Sequence, residues 1–90
     1  TPKYAWEVFI KQNRKCIYSN IELIFIKTRT EYRISTKEHT ASLDRINSDI
    51  GYVEGNIQWV HKYINCMKLD HTSEEFIQWC KLVANNNPAY

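Results

Sequence analysis

The sequence predicts a small α+β domain with a helix near each end and two short strands between them. The first sign is Thr1-Pro2, an N-cap residue followed by proline at the first helical position. The second is the segment 41–60, where short alternating apolar runs flank a polar loop. The third is the segment 72–75, Thr-Ser-Glu-Glu, whose spacing is that of a capping box. A chain of 90 residues suits one domain with a modest core, so residues 1–90 are treated as one unit.

The N-terminal third is predicted to contain a helix followed by a hairpin. Apolar side chains recur at helical spacing after the first turn, and the helix is expected to end near Arg14 or Lys15. The segment CIYSNIELIFI (16–26) has two β-rich runs around Ser19-Asn20, which is typical of a hairpin. The polar stretch 27–40 is predicted to be mainly loop.

The middle of the chain is predicted to fold as strand, loop, strand and helix. ASLDRI (41–46) alternates as a strand does, and NIQWV (56–60) forms a second short run of the same kind. Between them NSDIGYVEG (47–55) is a loop punctuated by two glycines. HKYINCMKL (61–69) has apolar residues at helical spacing and predicts a helix directly after the second strand.

The final helix and the tryptophans are predicted to supply the core. Helical spacing in the last segment is expected to turn Phe76, Cys80 and Val83 inward. Large aromatic side chains supply much of the buried area of a small domain, although they can also stack on bases. The residues expected in the core for this reason are Trp6, Trp59 and Trp79.

Positive charge is concentrated in the first half of the chain, although the net charge is only +2. From residue 1 to 39 there are eight Lys or Arg against four Asp or Glu, whereas from 40 to 90 there are four against six. Such an excess can neutralise nucleic-acid phosphates, but a solvated loop has the same composition. The residues of this basic stripe are Lys27, Arg29, Arg33 and Lys37.

The cysteines and the hydropathy indicate the compartment. The three cysteines form no CxxC pair, and an odd number argues against a secreted disulfide scaffold, so a reducing cytoplasm is expected. A structural zinc site has little support from their spacing. No apolar run approaches the roughly 18 residues that a membrane helix needs, and no signal peptide is visible. The chain begins with Thr1 rather than Met, so we expect a piece of a longer protein.

Four side chains of the middle segment suggest a metal-assisted reaction at a phosphodiester. Asp44 lies near the end of the first predicted strand, and Asn65 lies on the helix that follows the second. A hairpin packed on a helix can bring them together, and their hard oxygen atoms suit Mg²⁺. Arg45 follows Asp44, and Lys68 shares the helix face of Asn65, so two cations accompany the candidate metal site.

The string SLDRIN…GYVEGNIQWVHKYINCMK resembles the ββα-metal motif of HNH (His-Me finger) endonucleases. That motif has Asp-His at the end of the first strand, a central Asn before the second strand, and His or Asn on the helix with a nearby Lys. The resemblance covers the segment 41–69 densely. It implies that Asp44 and Asn65 bind metal, that Asn56 braces the loop through hydrogen bonds, and that Lys68 contacts phosphate.

The sequence departs from this motif at the general base. Arg45 stands where the family has His, as in a histidine-less branch of the family, in which a Tyr at the position of Tyr52 lies near the scissile phosphate. Three side chains compete for the role of the base: Tyr52, His61 and His39. We expect Tyr52 to orient or activate the water, with His61, which has the better intrinsic pKa, as the alternative.

The resemblance implies a ββα-metal domain with flanking helices that hydrolyses double-stranded DNA with Mg²⁺ or Mn²⁺ in the cytoplasm of a bacterium or a phage-infected host. The basic stripe is expected to hold the flanking backbone. Two other functions remain open: a catalytically inactive DNA-binding module of the same fold, and an interaction domain with zinc or with no metal. Whether the domain forms a homodimer is also open.

Overall fold

The structure, a computed structural model, describes residues 1–25 and 39–89. The described chain is α+β, with an antiparallel two-stranded sheet and three helices. The predicted basic stripe lies outside the described residues. In chain order the elements are α1 (Pro2–Lys11), β1 (Ala41–Arg45), β2 (Ile57–His61), α2 (Lys62–Lys68) and α3 (Ser73–Asn85).

Helix α1 begins as the sequence predicts but ends earlier. The Thr1 side chain caps it by accepting a hydrogen bond from the backbone N–H of Tyr4, and Pro2 occupies the first turn. The helix ends at Lys11 rather than near Arg14, because Asn13 and Arg14 adopt left-handed conformations with φ of 57° and 59°. Consecutive left-handed residues cannot continue a right-handed helix.

As far as residue 25, where this part of the description ends, the predicted hairpin after α1 is reduced to one antiparallel bridge, between Lys15 and Glu22. The chain reverses direction through Asn20, which is left-handed with φ of 61°. The Cys16 backbone N–H donates to the carbonyl of Ile21 at 2.8 Å and closes the turn. The segment therefore forms a tight turn against the body rather than two extended strands.

The two predicted strands and the helix after them are confirmed. Strand β1 pairs with β2 in the register Ala41 with His61 through Arg45 with Ile57, which sets Asp44 opposite Gln58. Helix α2 starts directly at the end of β2 and packs on both strands. This consecutive β1, β2, α2 arrangement is compatible with a small ββα domain.

The core lies between α1 and the inner face of the hairpin. Trp59 is central, since its ring contacts that of Phe9 at 5.2 Å between centroids and its indole N–H donates to the Ala5 carbonyl at 2.8 Å. Trp6 packs against this core from α1, as predicted. The buried members of the core are Phe9, Cys16, Leu23, Ala41, Trp59 and Val60.

Helix α3 begins at the predicted capping box but contributes little to the core. Phe76 is buried against Tyr18, whereas Cys80 and Val83 are exposed, and Trp79 is 59% exposed. The prediction of a core position is therefore confirmed for Phe76 and wrong for Cys80, Val83 and Trp79. From residue 77 to residue 85 every side chain of α3 is exposed. An apolar pattern buries a helix face only where another element covers that face.

The capping box of α3 is closed from both sides. The Thr72 hydroxyl accepts from the Glu75 backbone N–H at 3.2 Å, and the Glu75 carboxylate accepts from the Thr72 N–H at 3.4 Å. The hydrogen bond from Thr72, aided by nearby His71, lowers the pKa of Glu75 from 4.5. The ionised Glu75 carboxylate therefore stabilises the start of α3 fully at pH values above 4.5. This stabilisation is lost as the pH falls through the lower pKa of Glu75 in the folded protein.

No helix within residues 1–25 and 39–89 is both long and apolar enough to cross a membrane.

Candidate functional site

A buried ion pair joins the end of β1 to the end of α2. The Lys68 ammonium lies 3.2 Å from Asp44 Oδ1 and also donates to the Arg45 carbonyl at 3.2 Å. Asp44 is 6% exposed, and Lys68 is completely buried. Removing both charges from water is costly, and their attraction together with the extra hydrogen bond offsets that cost. The sequence predicts that Lys68 contacts a phosphate. In the structure, its ammonium is paired with the Asp44 carboxylate.

The second oxygen of Asp44 is held by Gln58, a residue that the sequence analysis missed. Gln58 Nε2 donates to Asp44 Oδ2 at 2.9 Å and to the Tyr18 hydroxyl at 2.8 Å. Both amide hydrogens are thereby used, so the Tyr18 hydroxyl is free to donate its own hydrogen to Ser73 Oγ at 2.6 Å. Pairing the two predicted strands would have revealed Gln58, because it faces Asp44 directly across the hairpin.

Asn65 lies on the same face of α2 as Lys68, one turn earlier. Its Nδ2 donates to Ser42 Oγ at 2.7 Å and more weakly to the Leu43 carbonyl at 3.4 Å. The side chain is half-buried, and within the described part of the chain its Oδ1 has no hydrogen-bond partner. Helix α2 therefore directs Asn65 and Lys68 onto the strand that carries Asp44.

Asn56 fixes the loop between the strands. It is 7% exposed, and its Oδ1 accepts from the Asn47 backbone N–H at 2.9 Å. Its Nδ2 faces three carbonyls, those of Asn47, Ile50 and Gly51, at 3.0, 3.2 and 2.9 Å. These bonds span most of the loop, so one side chain determines its path.

Arg45 and Tyr52 lie together at the outer end of the hairpin. The Arg45 guanidinium donates to the Ser48 carbonyl at 2.8 Å and lies 5.4 Å from the centroid of the Tyr52 ring. Tyr52 is 60% exposed. A cation over an aromatic face is attracted by the ring quadrupole, so the two side chains orient one another while remaining accessible.

His61 and His39 lie toward the opposite end of the sheet. His61 pairs with Ala41, three positions from Asp44, which corresponds to about 10 Å along the strand. His61 Nδ1 accepts from the Tyr63 backbone N–H at 3.2 Å and so caps α2. A neutral imidazole has one acceptor nitrogen, and here the cap uses it. His39 lies beside the Phe25 ring, with Nε2 3.0 Å from the Ala41 carbonyl.

The donors near Asp44 match Mg²⁺ or Mn²⁺ in kind, with Lys68 as a competitor. Each Asp44 oxygen carries one hydrogen bond and keeps a lone pair, and the Asn65 amide adds a neutral oxygen. One or two protein oxygens suffice for Mg²⁺, which keeps several waters. Residues 1–25 and 39–89 contain no group of three or more His, Cys, Asp or Glu that could hold a metal ion. A metal ion at this site would therefore be coordinated by the side-chain oxygens of Asp44 and Asn65. It would have to share the Asp44 carboxylate with the Lys68 ammonium.

Comparison with protein-family models, with curated proteins and with solved structures finds no match for this chain. Assignment to the HNH family therefore stays a prediction from the residues of the segment 41–69.

Proposed function

We propose that this domain is a metal-dependent DNA endonuclease of the HNH type, which hydrolyses phosphodiester bonds in the cytoplasm of a bacterium or a phage-infected host. The observation that carries the proposal is the approach of α2 to the end of β1. Asn65 and Lys68 meet the strand that carries Asp44, and at the same strand end the half-buried Arg45 lies beside the exposed Tyr52. Candidate ligands and an accessible cation beside an aromatic hydroxyl suit attack on a phosphodiester.

The proposed roles follow from the position of each side chain. Asp44 and Asn65 would hold the metal ion, which would supply Lewis-acid stabilisation of the charge that develops on the phosphate. Arg45 offsets negative charge on the non-bridging oxygens. Tyr52 orients the attacking water, and Asn56 keeps the Tyr52 loop in place.

The function is tested by nicking of supercoiled plasmid with Mg²⁺ or Mn²⁺, with and without chelator. Cleavage is expected only with metal, and Asn65→Ala is expected to slow it at least about 100-fold because one of two ligands is lost. Asn65 is the better first target, since its loss leaves no buried charge unpaired. Asn85→Ala, at an exposed position of α3, is the matched control and is expected to cut at the wild-type rate. Cleavage that persists in chelator, or in Asn65→Ala at full rate, contradicts the proposed metal site.

The role of Tyr52 is tested against that of His61. Tyr52→Phe removes the hydroxyl but keeps the ring under Arg45, and we expect roughly 100-fold slower cleavage at saturating metal. His61→Asn supplies a different N-cap oxygen for α2, so it is expected to fold and to cut at the wild-type rate. Cleavage rates of both variants, measured at pH values below, at and above neutrality, decide which of the two residues acts on the attacking water. Full activity in Tyr52→Phe, with loss in His61→Asn, transfers the role to His61.

One observation favours a second function, that of a DNA-binding module without catalysis. The carboxylate of Asp44 is already neutralised by Lys68 and hydrogen-bonded by Gln58, so it has no electrostatic need for a metal. Such a module would bind DNA without needing Asn65 and would not cut it. An interaction domain, the third alternative, would show no salt-sensitive affinity for DNA.

The basic stripe, which lies outside the described residues, is tested by the salt dependence of binding. Neutralising two of its cations, as in Lys27→Gln with Arg29→Gln, is expected to weaken binding to all duplexes alike. Each lost phosphate contact should flatten the slope of log affinity against log salt by about one. The control is Lys81→Gln on α3, whose slope is expected to match the wild type. An unchanged slope in the stripe variant shows that these residues do not contact DNA.

A further inference from the structure

Resting on the proposed function, we propose that Lys68 and a divalent metal ion are alternative partners of Asp44, and that a DNA phosphate shifts the balance toward the metal. The ammonium is completely buried and makes two hydrogen bonds, to Asp44 Oδ1 and to the Arg45 carbonyl, both at 3.2 Å. Lys68 is therefore the resident counter-ion of this carboxylate when no metal is bound.

The two cations compete because they share one negative charge. Among the residues that the structure describes, Asp44 is the only acidic side chain paired with Lys68. A divalent ion on Asp44 would lie close to an ammonium with little water between them, and like charges in such surroundings repel strongly. Gln58 keeps its hydrogen bond to Asp44 Oδ2 in either case, because its amide is neutral. Metal binding thus requires the ammonium to withdraw from Oδ1.

A phosphodiester gives the ammonium another acceptor. The carbonyl that accepts from Lys68 belongs to Arg45, whose guanidinium reaches the exposed end of the hairpin beside Tyr52. A phosphate seated there brings a negative charge to the same strand end, and the flexible four-carbon stem of Lys68 allows its head to turn toward it. Phosphate and metal then bind with positive coupling, and coupling is reciprocal between the two ligands.

The test compares Mn²⁺ affinity, by calorimetry, in the wild type, in Lys68→Met and in Lys68→Gln, each with and without a short duplex of arbitrary sequence. Without DNA, both variants are expected to bind Mn²⁺ roughly ten- to a hundredfold more tightly than the wild type. Adding Asp44→Asn to Lys68→Met should abolish the gain. The duplex is expected to raise the Mn²⁺ affinity of the wild type but not that of the variants. Equal affinity in all three proteins without DNA overturns the proposal.

A second measurement uses the wild type alone and does not depend on the folding of a variant. The buried Lys68 ammonium is expected to give a protected ¹⁵N resonance that persists with Mg²⁺ alone and is lost or shifted when Mg²⁺ and the duplex are added together. An unchanged resonance with both ligands overturns the proposal. Plasmid nicking by the wild type distinguishes this proposal from the proposed endonuclease function. If the wild type cuts DNA but the Lys68 variants bind Mn²⁺ no more tightly, the endonuclease function is retained and the competition is rejected. If the Lys68 variants bind Mn²⁺ more tightly but the wild type does not cut, the competition is retained and the endonuclease function is rejected.

Discussion

Replacing Asp44 by alanine is expected to destabilise the domain by roughly 3–5 kcal/mol as well as to remove cleavage. The substitution takes away the carboxylate that pairs with Lys68, and among the described residues no other acidic side chain pairs with this completely buried ammonium. A domain of this size has a free energy of unfolding of only about 5–15 kcal/mol, so such a loss is a large part of it. Urea denaturation of the wild type and the variant measures the difference directly.

The control for this prediction removes both charges. The control is the double variant Asp44→Ala with Lys68→Met. The unbranched methionine side chain keeps much of the packing of Lys68 and carries no charge that would need a counter-ion. Replacing a buried ion pair with apolar groups is often close to neutral, so we expect the double variant to recover most of the lost stability. A single variant as stable as the wild type, or a double variant as unstable as the single, would show that the pair does not have the role described. Loss of cleavage in Asp44→Ala is therefore informative about metal binding only under conditions where the variant is shown to be folded.

This expected loss of stability differs from what the sequence alone indicates for Asp44. The sequence predicts Asp44 as a metal ligand and gives no sign of a buried partner. The burial of Lys68 alters that expectation, because the cost of a missing carboxylate depends on what remains beside it. Lysine is among the residues that are least often buried, so no local pattern would have indicated an enclosed ammonium.

Local signals predicted the elements well where hydrogen bonding within a few residues decides the structure. The Thr1 and Thr72 caps begin their helices as expected, and the alternating runs become β1 and β2. Periodicity failed for α3, because an apolar face is buried only where another element covers it, and Trp79 is left 59% exposed. The partners of Gln58 were likewise set by strand register and by the turn that carries Tyr18, which are properties of the fold.

The candidate site shows the same division between local and long-range causes. The position of His61 at the junction of β2 and α2 could be predicted from the sequence. The sequence favoured Tyr52 but left His61 open as the alternative, because both lie within the segment 41–69 that carries the motif. The strand register separates them, since it sets His61 about 10 Å along the sheet from Asp44 while the loop returns Tyr52 to Arg45.

Asn56→Asp is expected to destabilise the domain by about 3 kcal/mol or more, and by more than Asn56→Ala, although Asp is nearly isosteric with Asn. The amide Nδ2 faces the carbonyls of Asn47, Ile50 and Gly51 within 3.2 Å. A carboxylate oxygen in its place donates nothing and repels all three, whereas alanine leaves room in which the loop and water can rearrange. Urea denaturation ranks the variants, and hydrogen exchange of the loop amides shows where the structure opens.

The matched control is Asn20→Asp, which makes the same chemical change at an exposed left-handed turn position that Asp also tolerates. That variant is expected to stay within about 0.5 kcal/mol of the wild type. Because Asn56 determines the path of the loop that carries Tyr52, Asn56→Asp should also slow cleavage under conditions where the protein is mostly folded. If Asn56→Asp is no less stable than Asn20→Asp, the hydrogen bonds of Asn56 do not hold the loop, and Tyr52 must be positioned by its contact with Arg45 alone.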